Sequence, residues 1–214
     1  LAGDIAQGGA DTTVLAPLYE TDYFDELITA PGSETPTGEE VSSMVLTQRL
    51  DQALIVLDGQ GGWAGSTRDL LKRDQGIDAE MFISSGCDGT WAEKMPLQFL
   101  NNRAKMWWRF REALDPKSVY EICLPPSTRL RAQLCTPHYL IAGKKLQVES
   151  KEDIRRRISS STDEADAVLM AWEYRDQAIY NVLNYVDDIV ERLNGRTGRP
   201  KGVSDELEDP RGGW

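Results

Sequence analysis

Short apolar runs separated by glycine-rich turns open the chain and predict a series of short strands. The first nineteen residues, LAGDIAQGGADTTVLAPLY, predict two strands joined by a turn at Gly8 and Gly9. Asp4 then falls at the end of the first strand. A third strand is predicted within FDELITA, before the loop PGSETPTG.

The next segments alternate between helical and extended patterns. Apolar residues at close to helical spacing predict a helix over EEVSSMVLTQRL. The continuous apolar run in QALIVLD predicts a buried strand that ends at Asp58, followed by a glycine-rich turn and the helix STRDLLKRD. A further strand is predicted in AEMFISS. Buried strands of this kind are typical of an α/β sheet covered on both faces.

The second half of the chain continues the alternation and then changes character. The pattern predicts, in order, a loop over CDGTWAEKMPLQF, a helix over NNRAKMWWRFREAL, a short helix over Leu130–Cys135, a hairpin turning at Gly143, and a long helical stretch from Asp163 to about Leu193. After Asn194 there is Gly, Pro and charge but no apolar periodicity. We therefore predict one domain over residues 1–194 and a disordered tail or partner-binding arm over residues 195–214.

Composition is that of an ordinary globular domain. The 214 residues are 40% hydrophobic and 28% charged, which suits one large domain with a sizeable core. No apolar run approaches the ~18 residues of a membrane span. Cys87, Cys123 and Cys135 are odd in number and lack CxxC spacing, so a disulfide framework or zinc site is not indicated and a reducing, intracellular setting is expected.

Charge limits the classes of partner. The net charge of −11 argues against a general nucleic-acid coat, because phosphates repel an acidic protein. The basic residues are nevertheless clustered, and one cluster contains Lys151, Arg155, Arg156 and Arg157. A single cluster is more simply a solvated helix face, but several clusters around carboxylates would form a track for phosphates.

Three aspartates stand out by position: Asp4 and Asp58 at strand ends, and Asp166 in the stretch SSSTDEADAV. Capping of a helix N-terminus accounts for Asp163 but fits Asp166 less well, because small and apolar residues surround it. Ligands usually bind at the carboxyl ends of the strands of an open α/β sheet. Oxygen ligands favour Mg²⁺ or Mn²⁺, and two such ions about 3.5–4 Å apart can promote phosphodiester hydrolysis. The lone His138 has no recognisable partner motif for serine nucleophile chemistry.

Two strings carry a resemblance to a known family: NNRAKMWWRFREALDP, and QVESKEDIRRR followed by STDEADAV. With the opening LAGDIAQGGADTTV and the central VLDGQGGWAGSTRDLL, they resemble the nuclease domain of the large terminase subunit of tailed double-stranded DNA bacteriophages. The resemblance covers roughly residues 1–172. It implies a ribonuclease-H-like fold, with a central mixed sheet flanked by helices, and metal-dependent cutting of concatemeric viral DNA.

The resemblance also implies site residues and partners. Asp4, Asp58 and Asp166 match the catalytic, metal-binding acids, Asp163 matches an accessory metal position, and Lys151 with Arg155, Arg156 and Arg157 would bind DNA. The resemblance implies two Mg²⁺ or Mn²⁺ ions as cofactors and the host cytoplasm as the location. The implied partners are double-stranded DNA, a packaging ATPase domain, a portal and a small terminase subunit. The family's ATPase is expected elsewhere, since the chain has no GxxxxGK[ST] loop. Thr162 replaces a frequent Pro and is expected to alter helix entry only.

Two other functions remain open from the sequence. One is a resolvase- or transposase-like nuclease on the same fold, which the acids alone do not distinguish from a terminase. The other is a non-enzymatic interaction module, in which the acids are solvated charges and the C-terminal helix is the working surface.

Overall fold

A five-stranded mixed sheet forms the centre of the protein in the computed structural model, which describes residues 1–6, 11–62, 64–86, 92 and 96–197. The strands are β1 (Ala2–Asp4), β2 (Thr12–Ala16), β3 (Leu18–Tyr19), β4 (Tyr23–Phe24), β5 (Ile28–Pro31), β6 (Ile55–Asp58), β7 (Ala79–Phe82), β8 (Gln98–Phe99), β9 (Tyr139–Ala142) and β10 (Lys145–Val148). The helices are α1 (Gly38–Gln48), α2 (Ala64–Gln75), α3 (Asn102–Ala113), α4 (Thr128–Cys135), α5 (Lys151–Ile158), α6 (Asp163–Glu173) and α7 (Arg175–Thr197).

The central sheet has the strand order β5-β2-β1-β6-β7. Strands β5, β2 and β1 pair antiparallel, whereas β1, β6 and β7 run parallel to one another. Parallel neighbours require a long crossover: the segment between β1 and β6 includes α1, and α2 connects β6 to β7. The sheet is therefore mixed, as the predicted fold class requires.

Alternating side chains cover both faces of this sheet. In β2, Val14 and Ala16 belong to one buried cluster, while Leu15 between them belongs to another. In β6, Val56 likewise faces the first cluster and Leu57 the second. Helices α1 and α2 pack against the second face, and α6 packs across β1 and β2 on the first. The prediction of strands buried on both faces is confirmed.

Helix α6 is buried on all sides because it lies between the sheet and two other helices, α3 and α4. Its residues from Asp163 to Trp172 are all buried. In α3, the side chains of Trp107, Trp108 and Phe110 are buried, as their predicted packing role requires. Most residues of α6 are apolar, as expected of a helix inside a core, and its three buried charged residues lie in the first turn.

Several predicted elements differ from those observed. Part of the predicted loop CDGTWAEKMPLQF forms β8, which pairs with β10 in a second sheet of order β8-β10-β9. The rest of that loop, apart from Ala92 and the residues from Pro96 onward, lies outside the described residues, as do Gly8 and Gly9. The strand predicted in FDELITA begins only at Ile28.

The long predicted helix from Asp163 is two helices, because regular α-helix is interrupted at Tyr174 between α6 and α7. Helix α7 extends to Thr197, and residues 198–214 lie outside the described residues. The division into a domain over 1–194 and a tail over 195–214 stays a prediction. No helix in the described part of the chain has the length and apolar character needed to cross a membrane.

The contact between α1 and α2 gives a test of the fold. A β-carbon at Gly38 would lie 2.8 Å from the backbone nitrogen of Thr67 and 2.9 Å from the carbonyl carbon of Ser66. Backbone atoms cannot rotate away, so we expect Gly38→Ala to lower the free energy of unfolding by about 1–3 kcal/mol in urea titrations. Gly65→Ala is the control, because nothing lies within 4 Å of its added carbon. Equal stabilities of the two variants would contradict this packing.

Candidate active site

Two of the predicted acids lie side by side at one edge of the central sheet. Asp4 is the last residue of β1 and Asp58 is the last residue of β6. The parallel register of these strands aligns the two aspartates. Side chains two positions apart in a strand point to the same face, so Asp4 shares its face with Ala2 and Asp58 shares its face with Val56. Ala2 and Val56 belong to the buried cluster on the α6 side of the sheet. Both carboxylates therefore face the helix that carries Asp166.

Asp166 comes from the first turn of α6 and is only 2% exposed. Asp163 lies three residues earlier in the same turn, is also buried, and accepts a hydrogen bond from the hydroxyl of Ser161. The N-cap residue is Thr162, whose side chain makes no capping bond. Asp163 is thus the first helical residue rather than a cap, although its charge is still favourable at a helix N-terminus.

The ammonium group of Lys151 lies among these carboxylates. Its Nζ is 2.6 Å from Oδ2 of Asp4, 3.3 Å from Oδ2 of Asp166 and 3.6 Å from Oδ2 of Asp58. Lys151 is the first residue of α5, which is anchored by the fully buried Ile154. The structure therefore brings together all three predicted catalytic acids, and it places Lys151 inside their cluster instead of on an open surface.

Buried like charges shift the pKa values of the cluster. Burial raises the pKa of Asp4 to about 7, and the repulsion of Asp166, Asp58 and Asp163 adds to this effect against the attraction of Lys151. Burial likewise raises the pKa of Asp58. Burial alone would lower the pKa of Lys151, but the attraction of Asp166, Asp4 and Asp58 outweighs it and holds the pKa well above its usual range.

The pKa of Asp166 shifts in the opposite direction, because two positively charged side chains lie beside this carboxylate. Although burial alone would raise its pKa, the charges of Arg103 and Lys151 hold the pKa of Asp166 below its usual range. Nη1 of Arg103 and Nε1 of Trp107 donate to Oδ1, and the hydroxyl of Thr162 donates to Oδ2. Thr162 therefore does more than alter helix entry, contrary to the expectation from the sequence.

Sequence reasoning missed Arg103 as a site residue and treated Trp107 as packing alone. The two residues lie four positions apart on α3, a spacing that places them on one helix face. From the sequence, this helix face is interpreted as part of the hydrophobic core, because the residues around it are aromatic. The available indication was a basic residue, Arg103, at helical spacing from aromatic residues on an otherwise buried helix.

The three arginines predicted to bind DNA point in different directions. Arg155 is 2.7 Å from Asp11, Arg156 is 3.0 Å from Asp153 on its own helix, and Arg157 is 2.7 Å from Glu149. Consecutive helical residues lie about 100° apart, so these three side chains cannot share one face. Arg155 follows Lys151 by one turn and shares its side of α5.

Within the described residues, no group of three or more His, Cys, Asp or Glu residues surrounds a ready-made metal position. The carboxylates of Asp4, Asp58 and Asp166 surround the ammonium of Lys151 instead. The donor set is nevertheless suited to a hard cation, because it offers three carboxylate oxygens around one positive charge and no nitrogen or sulfur ligand.

The mixed central sheet and its flanking helices form a ribonuclease-H-like fold. The structure is similar to the nuclease domain of the large terminase subunit gp2 of bacterial virus Sf6, with a TM-score of 0.60 and 19% identity over 80% of this chain and 86% of that chain. Two structures of a lysine-to-alanine variant of that terminase are also similar, over the same shares of both chains. The structure with calcium has a TM-score of 0.61 and 18% identity, and the structure with manganese has a TM-score of 0.59 and 18% identity.

No family model matches the chain, and no curated protein sequence matches it. At 18–19% identity the structural likenesses show the fold. The ribonuclease-H-like prediction is confirmed, and so is the resemblance to a terminase nuclease domain at the level of structure.

Asp4 gives a test of the electrostatics. The folded protein holds a proton on Asp4 more tightly than the unfolded chain does, since the pKa rises from 3.8 to about 7. The stability from this group is fully present below the unfolded value and is lost as the pH rises through about 7. Without divalent metal, we expect unfolding titrations to show a loss of about 1 kcal/mol between pH 6 and 8. Asp4→Asn should lack this loss, and equal pH slopes would contradict the assignment.

Proposed function

We propose that this chain is a divalent-metal-dependent endonuclease domain of a phage DNA-packaging terminase, which cuts concatemeric double-stranded viral DNA. The observation that carries the proposal is the meeting of Asp4, Asp58 and Asp166 around one positive charge, at the strand-end edge of a ribonuclease-H-like sheet. The terminase nuclease structures with manganese and with calcium support a metal-dependent role.

Asp4, Asp58 and Asp166 would hold the metal, with Asp163 nearby as an accessory acid. Two bound Mg²⁺ or Mn²⁺ ions would activate water and stabilise the leaving oxygen of a phosphodiester. Asp4 must first lose any proton it carries, because metal binds the carboxylate form. Asp58, whose side chain is 14% exposed compared with 3% for Asp166, lies on the side of the cluster more open to substrate.

Lys151 would have to leave the centre of the cluster for a metal ion to bind there. Its ammonium group is carried on a flexible four-carbon stem, so it can withdraw without movement of α5. Once withdrawn, it would remain within reach of the same edge of the sheet. There it could bind a phosphate oxygen of the DNA and offset charge next to the metal-bound carboxylates.

The burial of the acids argues against the alternative of a non-enzymatic module with solvated charges. Asp4 and Asp166 are 7% and 2% exposed, so neither is a solvated surface charge. A resolvase- or transposase-like nuclease would use the same acids. Cleavage of linear duplex in preference to branched junctions would separate the proposed terminase from these enzymes.

DNA would approach along α5 despite the net charge of −11. Arg155 is 49% exposed at its side chain and lies one turn from Lys151 on the same face of α5. Arg156 and Arg157 would contribute more weakly, because their side chains leave α5 on other faces of the helix. The resemblance also suggests three partners, which are the packaging ATPase domain, the portal and the small terminase subunit. It suggests the host cytoplasm as the location.

The central test of the proposal is Asp58→Asn. We expect this change to abolish Mn²⁺-dependent cleavage of linear duplex DNA, because it removes a metal-ligating charge at the cluster. Stability should change little, because the amide oxygen can still accept the bond from the Gln60 backbone, now 2.9 Å long, and repulsion among the acids falls. Urea titrations provide the control for folding. Cleavage at the wild-type rate would remove Asp58 from the mechanism.

The DNA path is tested by salt dependence. Each phosphate contact contributes about 0.9 to the slope of log K against log salt concentration. Arg155→Ala should therefore lower that slope by about one contact, and weaken binding about equally for different sequences. Arg192→Ala on α7, an exposed arginine paired with Asp188, is the control and should leave the slope unchanged. An unchanged slope for Arg155→Ala would mean that DNA takes another path.

A further inference from the structure

The two oxygens of Asp166 have different surroundings. Oδ1 accepts hydrogen bonds from Nη1 of Arg103 and, at 3.0 Å, from Nε1 of Trp107. Oδ2 accepts from the hydroxyl of Thr162 at 2.7 Å and lies 3.3 Å from Nζ of Lys151. Helix α3 therefore binds one oxygen, while the other faces the cluster of Asp4 and Asp58.

The two donors on α3 are themselves fixed in place. Arg103 is 9% exposed and Trp107 is 7% exposed, and the guanidinium carbon of Arg103 lies 5.2 Å from the centre of the Trp107 ring. Their spacing of four residues stacks them on one helix face. The start of α3 is held as well, because Asn101 caps the helix and the backbone nitrogen of Arg103 bonds to Ser84.

We infer that Arg103 and Trp107 are positioning residues, which fix the carboxylate of Asp166 so that only Oδ2 is presented to a cation at the cluster. This inference rests on the proposed function and deepens it. Rotation of the Asp166 side chain would break two hydrogen bonds inside the core, so the carboxylate cannot turn both oxygens toward the cluster. Asp166 would thus act as a ligand through a single oxygen.

The effect of such positioning residues on metal affinity has a typical size. Hydrogen-bond partners of metal ligands typically change metal affinity by about 10–100-fold when they are removed. A neutral indole donor lies toward the lower end of this range, and a charged guanidinium toward the upper end. Loss of Trp107 should therefore weaken metal binding without removing any group that touches the metal.

The chain offers a matched pair of variants. Trp107→Phe removes the indole donor to Asp166 and keeps an aromatic ring in the core. Trp108→Phe makes the same change one residue later, at an indole that is also buried but whose Nε1 has no hydrogen-bond partner within the described residues. Calorimetric titration of the full chain with Mn²⁺ should give an affinity about 10-fold weaker for Trp107→Phe and a wild-type affinity for Trp108→Phe.

A spectroscopic measurement separates positioning from general loosening of the core. In ¹⁵N-labelled protein, the indole resonance that disappears in Trp107→Phe should shift on addition of Mg²⁺, because the carboxylate that accepts its hydrogen bond at Oδ1 then binds the metal through Oδ2. The resonance assigned by Trp108→Phe should not shift. Arg103→Lys, which retains the charge but loses the forked geometry, should bind Mn²⁺ more weakly than wild type and more tightly than Arg103→Gln.

The outcomes distinguish the inference from the function on which it rests. Wild-type protein that binds no Mn²⁺ would overturn both. Wild-type binding together with equal affinities of Trp107→Phe and Trp108→Phe would overturn the positioning role and leave the proposed nuclease intact. If Arg103→Gln does not fold, the tryptophan pair still decides the question, since both of its members conserve an aromatic side chain.

Discussion

The burial of like charges at one edge of the sheet is the constraint on which the rest of the site depends. Asp4, Asp58 and Asp166 meet there around Lys151, Arg103 pairs with Asp166, and the charge of Asp163 adds to the repulsion on Asp4. Unpaired buried charges are strongly destabilising, and the surrounding elements must therefore supply donors and positive charge. Helix α5 contributes the lysine, and α3 contributes the arginine with a second donor beside it.

The acids of the cluster come from two layers of the fold, the central sheet and helix α6. The sheet provides Asp4 and Asp58 through parallel strands, where a fixed register keeps the two side chains adjacent. Helix α6 brings Asp166 from the opposite side, and its complete burial leaves it little freedom to move relative to the sheet. The separation of acids between sheet and helix means that their spacing depends on core packing. Changes in the core are therefore expected to affect the site without contacting it.

Much of this arrangement could be predicted, because local patterns specify it. Apolar runs ending in Asp58 and helical spacing around Asp166 are visible in short windows of sequence. The donors to Asp166 were not predicted, because Arg103 and Trp107 are about 60 residues away in the chain and their neighbours resemble ordinary core. Strand β8 was missed because two residues show no alternation, and only pairing with β10 makes them a strand. The direction of the Lys151 side chain depends on how α5 packs against the rest of the protein. The clustering of basic residues in the sequence does not determine that packing.

The two cations of the cluster differ in how easily they can be exchanged. The planar guanidinium of Arg103 pairs with Asp166 and lies over the ring of Trp107. Its side chain is only 11% exposed. Lys151 is 28% exposed at its side chain, and it contacts three carboxylates through a single rotatable ammonium. A metal ion competing for the carboxylates would therefore displace the lysine before the arginine. The same lysine stabilises the acidic cluster when no metal ion is bound, so the sheet edge can fold without one.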